Sequence, residues 1–391
     1  MTSQLRKPAL ILGALCALTP SLLGQTFQDG QGIIYAYGDD RTTCYVQGHS
    51  DDLSATLAIP SLINGIPVTH IGDGAFFGCR DLTAIAFGDS IRHIGYGAFY
   101  GCSALQAIAL PPATRRIEAY AFATCPALAA LDLGSGLSAI AEDAFASCSA
   151  LTDLTLPAGL DSVAFRAFAD CASLASVSIG TGTRFIDSYA FAGCPQLAQF
   201  SVSADNPVYH DLDGNLIHSA SNTLLAAAHT ATLTVPQGIQ HVREALRYGA
   251  AELTDLVLPD GVADIDLFAF ADCPQLQSVT TYALRPYPID DAVFQTYDDA
   301  SEPARSTYAD ATLYVPVGTR SAYEATAGWN LFRHIVEFDP MCIEDTPFGD
   351  ARHTSPDLYF SPDGYRRPRP AQGVNIIRLE DGSVKKVFLT E

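Results

Sequence analysis

The chain has 391 residues and carries 43 acidic side chains against 22 basic ones, a formal charge of −21 at neutral pH. That balance excludes a nucleic-acid binder, which needs a basic stripe, and suits a soluble protein with basic or divalent-cation partners.

Residues 1–24 read as a secretory leader. Arg6 and Lys7 form the charged start, residues 9–18 the apolar stretch, and Thr19-Pro20 breaks it before a cleavage point ahead of Gln25. The apolar stretch is too short for a membrane span. Gly13-Ala14-Leu15 ahead of Cys16 is a poor lipobox, so lipid attachment is the weaker reading. Removing the leader leaves nine cysteines, and an odd number argues against a complete disulfide framework. Residues 25–70 read as an N-terminal cap, with strands expected over 32–37 and 42–46, a truncated strand at Leu57-Ala58-Ile59, and a turn at Asn64-Gly65.

From Ile71 the chain repeats every 23 residues. Cys79, Cys102, Cys125, Cys148, Cys171 and Cys194 keep that step, and so does an Ala-Phe pair from Ala75-Phe76 to Ala190-Phe191. An apolar triplet keeps it too, from Leu82/Ile85/Phe87 to Leu197/Phe200/Val202. The unit is Ile-x3-Ala-Phe-x2-Cys-x2-Leu-x2-Ile-x-Leu. Spaced leucines at this period predict a leucine-rich solenoid over 71–281. Each unit is one coil. Its Leu-x2-Ile-x-Leu segment supplies a strand of a parallel sheet on one face, and the Ala-Phe side supplies a helix or turn on the return path. Alanine keeps neighbouring backbones close there, phenylalanine fills the interior, and stacking buries what one coil cannot. The cysteines form a ladder read as buried free thiols, since six equivalent positions cannot all pair with both neighbours. A line of thiols is not a zinc tetrahedron.

The period breaks over 203–238. Tyr209–Leu212 and Asn215–His218 flank Asp213-Gly214, which predicts a β-hairpin, with a third strand from Thr223. The repeat resumes, degraded, at Val242, and a clear unit follows from Ile265 through Ala269-Phe270 and Cys273 to Leu276 and Val279. Residues 282–340 close the array, with a strand over 311–316, a short helix over 320–327, and Trp329 as a buried anchor beside Phe332 and Ile335. Residues 341–391 form a tail whose last part, 373–390, reads as a hairpin about Asp381-Gly382.

The repeat unit resembles the BspA-type leucine-rich repeat family. Ile59-Pro60-Ser61 and Asn64-Gly65-Ile66-Pro67-Val68 resemble its lead-in, and Asn206-Pro207 with Tyr209, Asp213-Gly214-Asn215-Leu216 and Thr223-Leu224-Leu225 its hairpin insertion. Thr312-Leu313-Tyr314-Val315-Pro316, Tyr323, Trp329 and Phe332 resemble its C-terminal cap. The resemblance implies a secreted or cell-surface protein, and several members of that family bind host matrix proteins or other cells. The tail, with Gly364-Tyr365, Pro370, Gly373-Val374-Asn375-Ile376 and Lys385-Lys386-Val387, resembles C-terminal sorting segments of Bacteroidetes type IX secretion cargo; a small β-tail packed on the cap is the other reading.

No nucleophile elbow, phosphate loop, dinucleotide fingerprint or His-Glu-x-x-His is present, so the chain is not read as an enzyme and no cofactor is expected. His70 and His93 share a repeat position and should stack on adjacent coils, where two ligands alone make surface filler a better reading than a metal site. Asp211, Asp213 and Asn215 mimic half a calcium loop, but Asn222 stands where its glutamate belongs, which favours turn chemistry. The outward strand face is small and neutral to acidic, without a basic patch or the Trp, Tyr and Arg anchors of a binding hot spot. Aromatics gather just before the Ala-Phe pair instead: Tyr96, Tyr120, Phe165, Tyr189 and Phe268. This stripe, and the hairpin with Tyr209 and Asp213, are the candidate ligand-binding residues, packing at the coil edge being the other role for the stripe. The expected function is an adhesin-like binder of host extracellular proteins or other cells; the alternative is a structural or glycan-capturing part of the bacterial envelope.

Overall fold

The computed structural model describes residues 26–38, 41–228, 231–243, 252–271, 273–295 and 307–339, with the backbone of four further strands between Leu358 and Leu389. The expected leader, Cys16, Cys342, residues 244–251 of the unit begun at Val242, Gly364-Tyr365, Pro370 and the Asp381-Gly382 turn lie outside the described residues. The chain forms two compact units, Met1–Cys148 and Ser149–Glu391. Each is a parallel β-solenoid.

In the first unit, strands Thr26–Gln28, Ile33–Tyr37 and Cys44–His49 pair antiparallel, and Cys44–His49 then pairs parallel with Ile66–Ile71. Asn64 and Gly65, both at positive φ, turn the chain between Leu62–Ile63 and the start of Ile66–Ile71. The coils follow in two ladders. One stacks Thr56–Ala58, Ala84–Ala86, Ala107–Ala109 and Ala130–Asp132. The other stacks Ile66–Ile71 with the two-residue strands His93–Ile94, Arg116–Ile117 and Ala139–Ile140. The expected parallel sheet on one face is present, and a second ladder of two-residue strands runs beside it. The isoleucine that opens each unit is fully or almost fully buried at positions 71, 94, 117 and 140. Turning that side chain inward extends the backbone beside it, and an extended backbone can pair with the coil before.

The return path is a run of tight turns, not a helix. Gly74, Phe76 and Gly78 donate their N–H groups to the carbonyls of Tyr96, Ala98 and Tyr100 on the next coil, at 2.7–2.8 Å. The turns need positive φ twice per coil. Gly97 and Gly101 supply it in one coil; Tyr120 and Thr124, then Asp143 and Ser147, adopt it in the next two. Non-glycine residues are strained there by about 1–2 kcal/mol each. Inside the turns Phe76, Phe99, Phe122 and Phe145 stack face to face, with centroids 4.9–5.1 Å apart. The ladder cysteines are free thiols. From the second coil of this unit on, the Sγ–H points at the phenylalanine carbonyl one coil back: Cys102 to Phe76 and Cys125 to Phe99 at 3.2 Å, and Cys148 to Phe122 at 3.3 Å.

The second unit repeats the plan. Asp153–Leu156, Ser176–Ile179 and Gln199–Val202 form one ladder; Ser162–Val163 and Phe185–Ile186 belong to the other. The hairpin Tyr209–Leu212/Asn215–His218 then closes the open edge of Gln199–Val202. Phe200 N–H donates to the Gly214 carbonyl at 2.9 Å, and Val202 N–H to Asp211 Oδ1 at 2.7 Å. Strand Thr223–Ala226 leaves the hairpin to pair with His241–Val242, which pairs with Asp264–Ile265. A new ladder starts at Thr232–Thr234 and runs through Asp255–Leu258, Ser278–Thr281 and Thr312–Pro316 to His334–Phe338. Helix Arg320–Ala325 and a 3-10 turn, Trp329–Leu331, cap it. Trp329 is buried against Phe294, Tyr323 and Phe332, and its Nε1–H donates to the Tyr287 carbonyl at 2.8 Å. In the tail, Gly373–Arg378 and Val384–Leu389 pair antiparallel within a four-stranded sheet.

Candidate ligand-binding surfaces

The turns put the aromatic stripe at the corner where each coil leaves its two-residue strand. Tyr96, two residues past its inward isoleucine, is 50% exposed. It meets Tyr120, three residues past the next isoleucine, edge to face at 5.6 Å. Burial, then Asp143 and Glu142, push the Tyr120 hydroxyl up to about 12, and it hydrogen-bonds the Asp143 side chain. It is therefore a neutral phenol at physiological pH. Sequence reasoning missed two neighbours on this corner. Phe77 is 43% exposed and stacks on Tyr100 at 5.0 Å with an interplanar angle of 6°. Their signal was available: both follow the Ala-Phe pair at the common step, where later coils carry Ala123, Ala146 and Ala169. Gly74 and Gly97 sit beside them. A Cβ at either would come no closer than 3.8–3.9 Å to the Phe77 or Tyr100 Cβ; Gly74 is exposed and Gly97 buried.

The second unit carries the same device. Phe165 is 40% exposed and meets Tyr189 edge to face at 5.3 Å. Both lie three periods beyond Tyr96 and Tyr120. Phe185, 52% exposed at the ladder position before the inward isoleucine, was also missed. Phe268 is half-buried at positive φ, beside exposed Leu267.

The hairpin divides its two predicted residues. Asp213 is exposed in the turn at positive φ. Tyr209 is only 4% exposed; its hydroxyl accepts the Ile186 N–H at 2.9 Å and donates to the Arg184 carbonyl at 3.3 Å. It braces the hairpin against the coil before and offers a partner no surface. Asp211 caps Val202, while Asn215 donates to the Leu212 and Asp213 carbonyls and accepts from Ala228 N–H. These side chains do turn and edge chemistry.

Among the described residues no group of three His, Cys, Asp or Glu is placed to hold a metal, and no helix is long and apolar enough to cross a membrane. Cys79 Sγ lies 3.2 Å from His49 Nε2, the composition of a nucleophile and base. His49 Nδ1 faces the Ser50 carbonyl at 3.0 Å, so Nδ1 carries the proton and Nε2 accepts the thiol. Burial pushes that thiol up to about 11, and the pair serves as a cap: the His49 ring stacks on Phe76 at 6.2 Å where an earlier coil's phenylalanine would lie. His70 and His93 do lie together on adjacent coils, with centroids 5.5 Å apart and the rings tilted by 48°. Tyr45, His70, His93 and Arg116 form one in-register row, and Arg92 is exposed beside it.

The profile of the BspA type leucine rich repeat region matches residues 69–198 and 215–300, in six copies. Among solved structures the chain is similar to a leucine rich cell surface protein from Faecalibacterium prausnitzii, with 20% identity over 80% of this chain and 94% of that one and a TM-score of 0.51. It is also similar to a leucine-rich repeat protein from Bacteroides ovatus, with 20% identity over 81% and 83% and a TM-score of 0.50. Identities this low speak for the shared fold alone. No curated protein matches the sequence. With more than half of its residues in the matched profile, and the inward isoleucines, stacked phenylalanines and thiol ladder all in phase with it, the chain belongs to the BspA-type leucine-rich repeat family.

Proposed function

We propose that the protein is a secreted or surface-exposed binding scaffold of the adhesin type, engaging extracellular proteins or other cells through its turn corners. The carrying observation is the aromatic set on those corners: Phe77, Tyr96, Phe165 and Phe185 are exposed, and half-buried Tyr100, Tyr120 and Tyr189 pack against Phe77, Tyr96 and Phe165. Aromatic side chains held rigidly on a backbone ladder lose little entropy on binding and are the residues that dominate protein interfaces. The Asp213 turn is a secondary contact. Membership of the family, together with the likeness to a cell surface protein of F. prausnitzii, supports an extracellular location. The tail sheet is read as its export segment.

The test is binding of the purified chain to immobilised matrix proteins and mucins. A saturable protein ligand should lose at least about 2 kcal/mol of affinity with Tyr96→Ala or Phe165→Ala if these are hot spots. A ligand held equally by both variants would move the site elsewhere, and a ligand competed only by free sugars would favour the glycan-capturing reading.

A further inference from the structure

A different set of side chains in the first unit points to a second ligand. No lysine lies between Lys7 and Lys385, and the chain is strongly acidic. Against that background the ladder through Ile66–Ile71, His93–Ile94 and Arg116–Ile117 aligns His70, His93 and Arg116 in register on one outward face. Arg92 joins them, its backbone bonded to Thr69 at 2.7 Å and its side chain exposed. Arg115 is not part of the set, because its guanidinium is spent on the carbonyls of Pro112, Thr114 and Gly136. Among the described residues Glu118 opposes the row, at 2.7 Å from Arg116 and 3.5 Å from His93.

We propose that this row is a binding site for a linear sulfated glycan, laid along the ladder so that successive sulfates meet His70, His93 and Arg116, with Arg92 alongside. Rungs of a parallel ladder are about 4.8 Å apart, so the donors form a row that a linear polymer of anions can follow. Guanidinium forks take an anionic oxygen pair in two parallel hydrogen bonds. The acidic remainder of the surface repels a polyanion and confines it to this line. The groups facing the imidazoles are the Thr69 hydroxyl, 2.7 Å from His70 Nδ1, Tyr45 on the preceding strand, and Arg92, Arg116 and Glu118 on the following ones. His70 is held below its usual range by burial, then by His93 and Arg92. Its charge therefore arrives on acidification, and a bound polyanion favours it. Affinity should rise as pH falls.

The test measures binding of the full chain to immobilised heparin at about pH 5.5 and about pH 7.5, with neutral dextran and polyglutamate as comparison surfaces. The expected result is salt-sensitive heparin binding that is stronger at the lower pH. Arg92→Gln/Arg116→Gln should weaken it about tenfold or more at both pH values, and His70→Ala/His93→Ala chiefly at the lower one. Glu118→Gln, which frees Arg116, should strengthen it. Circular dichroism confirms that each variant is folded. No heparin binding by the parent chain, equal binding by the double variants, or polyglutamate held as tightly as heparin would each overturn the proposal. It does not depend on the aromatic corners, so a chain that binds heparin yet no protein would leave it standing.

Discussion

Phe122→Ala probes the physical centre of the first unit. Phe122 is fully buried, with Phe99 stacked 4.9 Å away on one side and Phe145 5.1 Å away on the other. Burial of the ring accounts for about 1.5–3 kcal/mol. Truncation also leaves a cavity the coils cannot close, because hydrogen bonds of 2.7 Å, from Phe99 N–H to Ala121 and from Phe122 N–H to Ala144, hold the turns apart. The total is then about 3–5 kcal/mol. Two lost ring pairs, each about 0.5–1.5 kcal/mol beyond area, place the variant near the top of that range. In a solenoid such a loss falls first on the coil and its neighbours. Urea denaturation followed by far-UV circular dichroism measures the loss, and hydrogen exchange by mass spectrometry localises it to residues 94–145. A loss below about 1.5 kcal/mol, or exchange no faster in those turns than in the strand Thr26–Gln28, would refute the claim that the stacked rings hold the coils together.

Three further outcomes are expected. Thr124 holds a β-branched side chain at φ 56, where other coils place Gly78, Gly101 and Gly193, so Thr124→Gly should raise the melting temperature by relief of about 1 kcal/mol; a fall would show that the turn is not strained. Trp329→Ala empties the core of the C-terminal cap and strips the Tyr287 carbonyl of its donor, for a loss of about 3–5 kcal/mol in thermal unfolding; a loss under about 1 kcal/mol would mean the cap does not rest on it. Among the described cysteines Cys79 is the half-buried one, while Cys102, Cys125, Cys148 and Cys194 are buried with thiols pushed up by their surroundings. Iodoacetamide should therefore label Cys79 before those four in native protein, slowly at neutral pH and faster as pH climbs toward about 11, because only the thiolate reacts. Mass spectrometry reads the order, and earlier labelling of any of the four would contradict it.

The repeat was legible because a solenoid reuses one local solution. A side chain buried in one coil must be buried in the next, so Ile94, Phe99, Cys102 and Leu105 recur in phase and announce burial directly. The Asp213-Gly214 turn was legible for a similar reason, since local backbone geometry selects its residues. Exposure carries no such period. Tyr96 and Phe165 were found by their place before the Ala-Phe pair, but Phe77, Tyr100 and Phe185 sit at positions filled elsewhere by alanine or polar residues. Tyr209 looked like a surface aromatic, and only the packing of the hairpin on Ile186 turned it inward.

What the sequence alone determined is the coil: its length, its inward residues and its family, all set by short-range periodicity. What only the tertiary structure decided is which side chains from different coils meet. His93 and Arg116 are 23 residues apart, so the period gives them one repeat position, as it does His70 and His93; only the parallel pairing shows that this position lies on a strand, with the side chains one rung apart. The second ladder and the row of donors on it arise from hydrogen bonds between coils, and those exist only once the chain has wound.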